Sequence, residues 1–539
     1  MSNSNGQTAV RSRWSHTSPT LWMTCIVYVF ADVFYGYDSG MFSSLQALPS
    51  FLDKFGAKIG GKQKLPTKQS SIMNSVVWAG KLAGALSVEP MVERLGFKKA
   101  MVVLCAVQCL AAIIELVSPN WKVFTFGRCL SYVAQGIAEN AVPSYTSDIA
   151  PAPVRSTFTG SLTFFLVIGQ LWSNLMCRAY RLTHESKGWK IPVAMQLVPP
   201  IIILIGLPFT PVLTLTESPR WLTAHGRKEE ALVALNRIRP AHDVANGNTE
   251  AEINAIDEAI QESNVKDRGT WLDIFRGTYL RRSLIAMFMF IVQQANGTQF
   301  IQSFGATFYI SMGYGDMSFT YTSITSAAII VALGCALYLY DKIGRRPVMI
   351  VTSFIQCPLI LTVAIVGSAK HQTSANVHGV VACNILFTSF ARCATDSPSY
   401  IINSEIGGVK LRKKIMAWST WWQVIAAFTV SYVSPYLLAS PGLDLGAKVG
   451  YIFFVISSLG FLFIVFCVPE LKGRSLEEID ELFEQRLWAW QFDKAVTSGV
   501  GARIAELEGA YEHHGGEKGR EEGIEMGHNE ESLDQKVGP

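Results

Sequence analysis

Apolar runs about as long as a bilayer is thick recur along the whole of this chain, and they constrain its fold more than any other feature. Crossing the hydrocarbon core takes about 20 mostly apolar residues in a helix. Twelve stretches qualify as candidates: 20–44, 70–90, 100–118, 124–144, 158–178, 191–213, 282–308, 320–340, 347–367, 378–402, 415–438 and 449–468. Backbone groups in lipid must bond within their own segment or in a closed barrel, so runs of this length predict an all-α membrane protein. The clearest spans are 100–118, 191–213 and 449–468. The weakest is 378–402, which holds Arg392 and Asp396 and is placed by motif more than by hydropathy.

Charge supports this reading and excludes others. Only 16% of the 539 residues are charged, against roughly 25% in a soluble domain. The net charge of +4 is small, and Lys and Arg are scattered over loops rather than gathered on one face, which argues against nucleic acid as a partner. The ten cysteines lie in apolar runs and read as small hydrophobes, with neither a metal site nor a disulfide framework expected. His513 and His514 read as solvated tail residues. No nucleotide-binding loop and no nucleophile–base pair stands out, so neither ATP-driven pumping nor enzymatic activity is expected, and no cofactor is implied. Asn296-Gly297-Thr298 matches a glycosylation acceptor but falls inside a span.

Between the spans, residues 1–19 are Ser/Asn-rich and are expected to be a disordered cytosolic terminus, with no cleavable leader. Residues 214–281 predict short amphipathic linker helices, one at about 227–238 with Leu232, Leu235 and Ile238 on one face and another at about 249–262. The tail from 469 is expected to be cytosolic, and disordered after about 500.

The chain also repeats itself. Glu93-Arg94-Leu95-Gly96 returns as Asp341-Lys342-Ile343-Gly344, an offset of 248. Asp148 and Arg155 recur as Glu405 and Arg412 at an offset of 257, and Glu217 recurs as Glu470 at 253. Three marks at nearly one period imply two pseudo-symmetric six-helix bundles, at 20–213 and 282–468, joined by the helical linker. With both termini cytosolic, the inner loops collect Arg94, Lys98, Lys99, Arg155, Lys342, Arg345, Arg346, Lys410, Arg412, Lys413 and Lys414, as the positive-inside tendency requires. The first outer loop runs against that tendency, with Lys54, Lys58, Lys62, Lys64 and Lys68.

These motifs bring a resemblance into view. Val468-Pro469-Glu470-Leu471-Lys472-Gly473-Arg474-Ser475, Glu217-Ser218-Pro219-Arg220-Trp221-Leu222 and Asp341-Lys342-Ile343-Gly344-Arg345-Arg346 stand in order. With them come Gly127-Arg128, Pro143, Tyr145, Asp148, Pro151, Arg155 and Gln293-Gln294 with Gly297. Over about 35–483 the chain resembles the sugar-porter family of the major facilitator superfamily, in its fungal-type branch. The resemblance implies a plasma-membrane transporter working by alternating access, in which one chain suffices to form the pathway.

It also implies roles for particular residues. A network of Glu93, Arg94, Asp148, Arg155, Glu217, Asp341, Arg345, Glu405, Arg412 and Glu470 would latch the cytosolic gate. The bland alternative is that these charges only orient loops. Asp38, an acid inside the first span, would carry a proton and pair with Arg128 on the fourth, or else form a static ion pair with it. Gln293, Gln294, Gln299 and Gln423 occupy sugar-contact positions, with Tyr400, Thr163 and Gln170 beside them, or they serve as interhelical glue.

The chain departs from the family at several of these places. Gln299 and Gln423 stand where Asn is usual. Thr163 replaces a glutamine, Ser303 and Phe304 replace paired aromatics, Asp396-Ser397-Pro398-Ser399-Tyr400 replaces a Gly-Pro-x-x-Trp pattern, Val424 replaces a tryptophan and Phe97 replaces a basic residue. Asp32, Glu139, Arg392 and Asp396 add intramembrane charge. Arg392 and Asp396, four apart on a helix, can pair, and Glu139 lies on the Arg128 side of its helix. The reading is proton-coupled symport of a sugar or sugar-like solute. The alternatives are a facilitator or exporter of a metabolite and a non-transporting nutrient sensor.

Overall fold

A computed structural model describes residues 18–495 apart from 60, 151, 210–216, 266–269, 370–373, 439–441, 444, 473, 475 and 494. The first seventeen residues and those after 495 lie outside the described residues, and with them the disorder expected at both ends and the His513-His514 pair. Twelve helical crossings make up the fold. The first is Pro19–Leu45, opened by Ser18, whose hydroxyl accepts from the Leu21 N–H. The second and third run as one hydrogen-bonded helix, Val77–Val117, interrupted at Gly96. The fourth is Trp121–Ile149, capped by the Asn120 side chain, and the fifth is Ala152–Ala179. The sixth is built from Lys187–Ala194, a tighter turn at Met195–Leu197, and Val198–Phe209.

In the second half, the seventh crossing is broken into Gly277–Ala295 and Thr298–Ser311. At the break Gly297 takes φ 103°, and Asn296 accepts from both the N–H and the hydroxyl of Thr298. Asn296 is fully buried, so its acceptor motif is structural. The eighth to twelfth crossings are Met317–Lys342, Arg345–Gly367, Ser374–Glu405, Gly408–Leu438 and Val449–Cys467.

Among the described residues, seven helical stretches are long and apolar enough to cross a membrane by composition alone, and one of them, Thr67–Val117, contains two crossings. The fourth, fifth, tenth and eleventh crossings are absent from that set. The fourth and tenth carry buried charge, including Arg128 and Arg392, which donate to Met73 and Gln302 on neighbouring helices rather than facing lipid. The first and fifth crossings meet backbone to backbone. A Cβ on Gly36 would stand 1.8 Å from the Leu166 carbonyl oxygen, and one on Gly169 would stand 2.1 Å from that of Val33. Small residues allow this approach, which in lipid supplies packing that hydrophobicity cannot.

Between the sixth and seventh crossings lie Pro219–Ala224, Lys228–Ile238, Ala241–Ala245 and Asn248–Val265, packed around Leu222, Ala231, Ala234, Leu235 and Ile253. We call the side of the molecule bearing these helices the linker face. The opposite face has a small feature unforeseen in the sequence: Ala57–Ile59 pairs antiparallel with Lys62–Lys64 in the lysine-rich first loop. All ten cysteines are unpaired.

Gly96 and Gly344 (φ 80° and 112°) each hold a position where a Cβ would collide with a carboxylate, at 2.5 Å from Glu217 and 2.6 Å from Glu470. Left-handed or extended positive-φ backbone costs a non-glycine residue on the order of 1–3 kcal/mol. Gly96→Ala and Gly344→Ala should therefore each lower the thermal unfolding temperature of the detergent-solubilised protein. The drop should exceed that of Gly226→Ala, where φ is 75° but nothing lies within 4 Å.

Candidate functional site

The fourth crossing presents Arg128, Ser131 and Gln135 along one face, since steps of three and four residues bring side chains into register on a helix. Asp38 of the first crossing, fully buried, packs against that face. Ser131 Oγ lies 2.7 Å from Asp38 Oδ2, and the Gln135 amide donates to the same oxygen. The Asp38–Arg128 ion pair implied by the resemblance is not formed. Arg128 instead donates to the Met73 carbonyl at 2.8 Å and lies 3.8 Å over the Phe42 ring. Serine and glutamine already occupy the carboxylate oxygen that faces the helix. The guanidinium finds a carbonyl and an aromatic face a turn away, from where its charge still acts on Asp38.

A second polar cluster crosses the midline between the bundles. Lys81 of the second crossing is 2.7 Å from Glu139 Oε2 and donates to the Tyr35 hydroxyl at 2.9 Å. Tyr400 of the tenth crossing donates to Glu139 Oε1, which joins the two halves directly. Gln423 donates to the Tyr400 hydroxyl at 2.8 Å and to Gln293 Oε1 at 3.1 Å. Thr163 and Ser397 share a 2.8 Å hydroxyl bond across the same boundary. Glu139 thus touches both a neighbouring helix and the residues expected around the solute.

Beside this cluster is a small, partly open cavity lined by Gln170, Asn174, Gln302, Thr388 and Arg392 among others. Arg392 pairs with Asp396 at 3.0 Å, the i, i+4 contact expected from the sequence, and also donates to Gln302 at 2.9 Å. Of the predicted solute contacts, Gln293, Gln423 and Tyr400 come together in one hydrogen-bonded chain, Thr163 sits on the boundary and Gln170 lines the cavity. Gln294 is buried one position after Gln293. Gln299 bonds Ser303 and Ser431, at 2.9 and 3.4 Å, and of the seven predicted contacts Gln170 is the one that lines the cavity.

At the linker face the two halves repeat one device. Glu217 accepts from the backbone N–H of Phe97 at 2.8 Å, at the start of the third crossing, and Glu470 accepts from that of Arg346 at 2.8 Å, at the start of the ninth. Each carboxylate sits on a helix N-terminus, where exposed N–H groups favour negative charge. Burial pushes the Glu217 carboxyl up, and the Phe97 and Lys98 N–H groups pull against that shift. Asp148 accepts from Ser218 at 2.8 Å, and Arg345 lies 3.6 Å from Glu405, within reach of Arg412's charge. Glu93 and Arg94 are exposed and form no ion pair with a described residue. The side chains of Arg155 and Asp341 lie outside the described residues.

Two ionisable groups at these sites escaped the sequence reading: Lys81, and Glu115 of the third crossing, which accepts from Gln196 at 2.9 Å and is fully buried. A lone charge inside an apolar run was the available signal for each. Removing one member of a buried pair strands the other at a cost of about 3–5 kcal/mol. Lys81→Ala should therefore destabilise the protein markedly in a thermal unfolding assay, and Lys81→Ala/Glu139→Ala should recover much of that loss.

Comparison with known proteins places this geometry. Residues 24–483 match the family described as "Sugar (and other) transporter". The chain is 26% identical over 472 residues to the major facilitator-type transporter ecdD of Aspergillus rugulosus, covering 84% of this chain and 85% of that one. It is 22% identical over 487 residues to the low-affinity glucose transporter HXT3 of Saccharomyces cerevisiae, covering 88% and 83%. Among solved structures, the proton:xylose symporter XylE bound to 6-bromo-6-deoxy-D-glucose superimposes with a TM-score of 0.70 at 20% identity, over 87% of this chain and 100% of that one. The inward-open form of XylE from E. coli gives 0.68 at 17% identity, over 86% and 99%. With twelve crossings in two six-helix bundles and a family match over most of its length, the chain belongs to the sugar-porter family of the major facilitator superfamily and is a multi-pass membrane transporter, not an enzyme.

Proposed function

We propose that this protein symports a proton with a sugar or sugar-like solute by alternating access. The observation that carries the reading is Asp38: a carboxylate fully buried in the first crossing, held by Ser131 and Gln135 of the fourth, within reach of the charge of Arg128. Such a group exists inside a membrane for a reason, and reversible protonation is the chemistry a carboxylate offers there. Gaining a proton cancels its charge and changes which hydrogen bonds it makes to the fourth crossing, which alters the balance between two arrangements of the bundle. A proton entering down roughly 100 mV supplies about 2.3 kcal/mol, enough for about 50-fold accumulation of solute. The structural neighbour XylE is named a proton:xylose symporter, which supports the reading, while HXT3 is named a glucose transporter without reference to protons.

The solute binds, in this proposal, among Gln293, Gln294, Gln299, Gln423, Tyr400, Thr163 and Gln170. The Lys81–Glu139 and Arg392–Asp396 pairs flank these residues and make the site more polar than a neutral hexose requires. A disaccharide, a polyol or a sugar acid suits them better than plain glucose. The linker face is the cytosolic side, both termini are cytosolic, and the membrane is the plasma membrane. Glu217, Glu470, Asp148, Arg345, Glu405 and Arg412 latch the cytosolic gate, with Glu93, Arg94, Arg155 and Asp341 completing it in the closed arrangement. A single chain forms the pathway.

Uptake by a hexose-transport-deficient yeast expressing the chain tests this, with labelled hexoses, disaccharides, polyols and sugar acids, with and without a protonophore. Accumulation should fall at least about ten-fold with the protonophore and with Asp38→Asn. Uptake that survives both makes the protein a facilitator. Correct insertion with no uptake of any solute points to export or sensing instead.

A further inference from the structure

The polar side chains buried in the first bundle form one chain of hydrogen bonds with a carboxyl group at each end. Asp38 Oδ2 lies 2.7 Å from Ser131 Oγ, and Ser131 Oγ lies 2.8 Å from Gln108 Oε1. Gln108 Nε2 lies 3.2 Å from Gln196 Oε1, and Gln196 Nε2 lies 2.9 Å from Glu115 Oε2. The chain threads the first, fourth, third and sixth crossings. Gln196 is placed by the tight turn at Met195–Leu197 that interrupts the sixth. None of the five residues is more than 1% exposed, so bulk water cannot complete their bonds.

Each of the four joints needs one hydrogen. A hydroxyl brings one, and an amide placed in line brings one, because it turns its oxygen to one neighbour and its nitrogen to the other. Ser131, Gln108 and Gln196 therefore bring three hydrogens to four joints. The fourth can come only from a carboxylic acid at one end. With the amides as placed, Gln196 donates to Glu115, Gln108 to Gln196 and Ser131 to Gln108, so Asp38 is the acid and donates to Ser131. With both amides turned over, Ser131 donates to an ionised Asp38, and Glu115 is the acid and donates to Gln196. Were both ends ionised, one buried joint would hold no hydrogen. Were both protonated, one O–H would have no acceptor in the chain.

We propose that Asp38 and Glu115 form a single proton-binding unit. The Ser131–Gln108–Gln196 chain makes protonation of one end disfavour protonation of the other, so that Glu115 sets the proton affinity of Asp38. The chain conveys a preference and not the proton itself, since the amides turn over without passing a proton along. Its meaning for transport rests on the symport proposed above. The charged groups acting on the unit are Arg128, whose charge reaches both ends, and Asp38 itself, whose charge reaches Glu115. The titratable neighbours are Tyr37 on the first crossing and Tyr132 on the fourth. Lys81 acts on Tyr132 but is itself held by Glu139 and Tyr35.

The test reads the proton directly and needs no solute. The protonated-carboxyl infrared band of the purified full chain is titrated against pH for wild type, Glu115→Gln, Asp38→Asn, Ser131→Ala and the Glu115→Gln/Ser131→Ala double variant. Differences between proteins cancel the other buried acids. An amide introduced at position 115 supplies the fourth hydrogen without a proton, so Asp38 should titrate at least about one pH unit lower in Glu115→Gln. Asp38→Asn should lower the Glu115 midpoint likewise. Because Ser131→Ala cuts the chain, adding Glu115→Gln to it should move Asp38 by no more than about half as much. No shift in either single-acid variant overturns the unit, and equal shifts with and without Ser131 reduce it to through-space repulsion. Should Glu115→Gln not fold, the Asp38→Asn titration with and without Ser131 decides the same point. Protonophore-insensitive uptake would sink symport while leaving this titration intact. A failed titration beside proton-driven uptake would sink only the unit.

Discussion

Charge cannot be left unpartnered inside a hydrocarbon layer, and the arrangement of this protein depends on that constraint. Lys81, Glu139, Arg392, Asp396, Arg128, Asp38 and Glu115 all lie within crossings, and each meets a polar partner on another helix or one turn along its own. The partners lie between helices, so the charges turn inward and leave apolar side chains outside. Val117, Phe126, Val331 and Phe354 are among the large residues left on the outer surface, at 76, 63, 68 and 64% exposure. The same constraint explains why the fourth and tenth crossings look weak by hydropathy: they are the ones that carry the polar interior.

Two kinds of junction then hold the bundles. Within the first bundle, helices meet through small residues at backbone distance, as at Gly36 and Gly169, and this contact leaves no room for sliding. Between the bundles, apolar clusters that bring Val167 together with Leu333 and Trp78 with Val424 are accompanied by hydrogen bonds such as Thr163–Ser397, Asn174–Ser326 and Tyr400–Glu139. Hydrogen bonds can be exchanged for others to water or a solute at small net cost, whereas a backbone-packed contact cannot. A molecule rigid within halves and exchangeable between them has the mechanical character that alternating access needs. The carboxylates at Glu217 and Glu470 follow the same logic, since N–H groups at a helix end can be given up to water without stranding a cation in lipid.

Much of the fold was legible from the sequence because its signals are local. The length of an apolar run reports a crossing whatever surrounds it, and the repeated acid–glycine marks reported the two halves. The weak span 378–402 was legible through its motif, and the structure carries it through Ser374–Glu405. Lys81 and Glu115 were missed because a single charge within a long apolar run hardly alters its hydropathy. The break at Asn296–Gly297 was not foreseen, because Gly in a span is tolerated as often as it interrupts one.

The sequence by itself determined the number and order of the crossings, the two-fold plan, and contacts confined to one helix, of which Arg392–Asp396 is the clear case. Four residues of helix bring those two side chains together whatever lies around them. Tertiary structure alone decided which partners meet across helices. It gave Asp38 to Ser131 and Gln135, set Arg128 on the Met73 carbonyl and the Phe42 ring, bonded Gln299 to Ser303, and linked Asp38 to Glu115 through three intervening side chains. The physical reason is that such contacts depend on how each helix is rotated and how closely it approaches its neighbours. Those quantities are set by packing at positions such as Gly36 and Gly169, far from the polar residues whose company they decide.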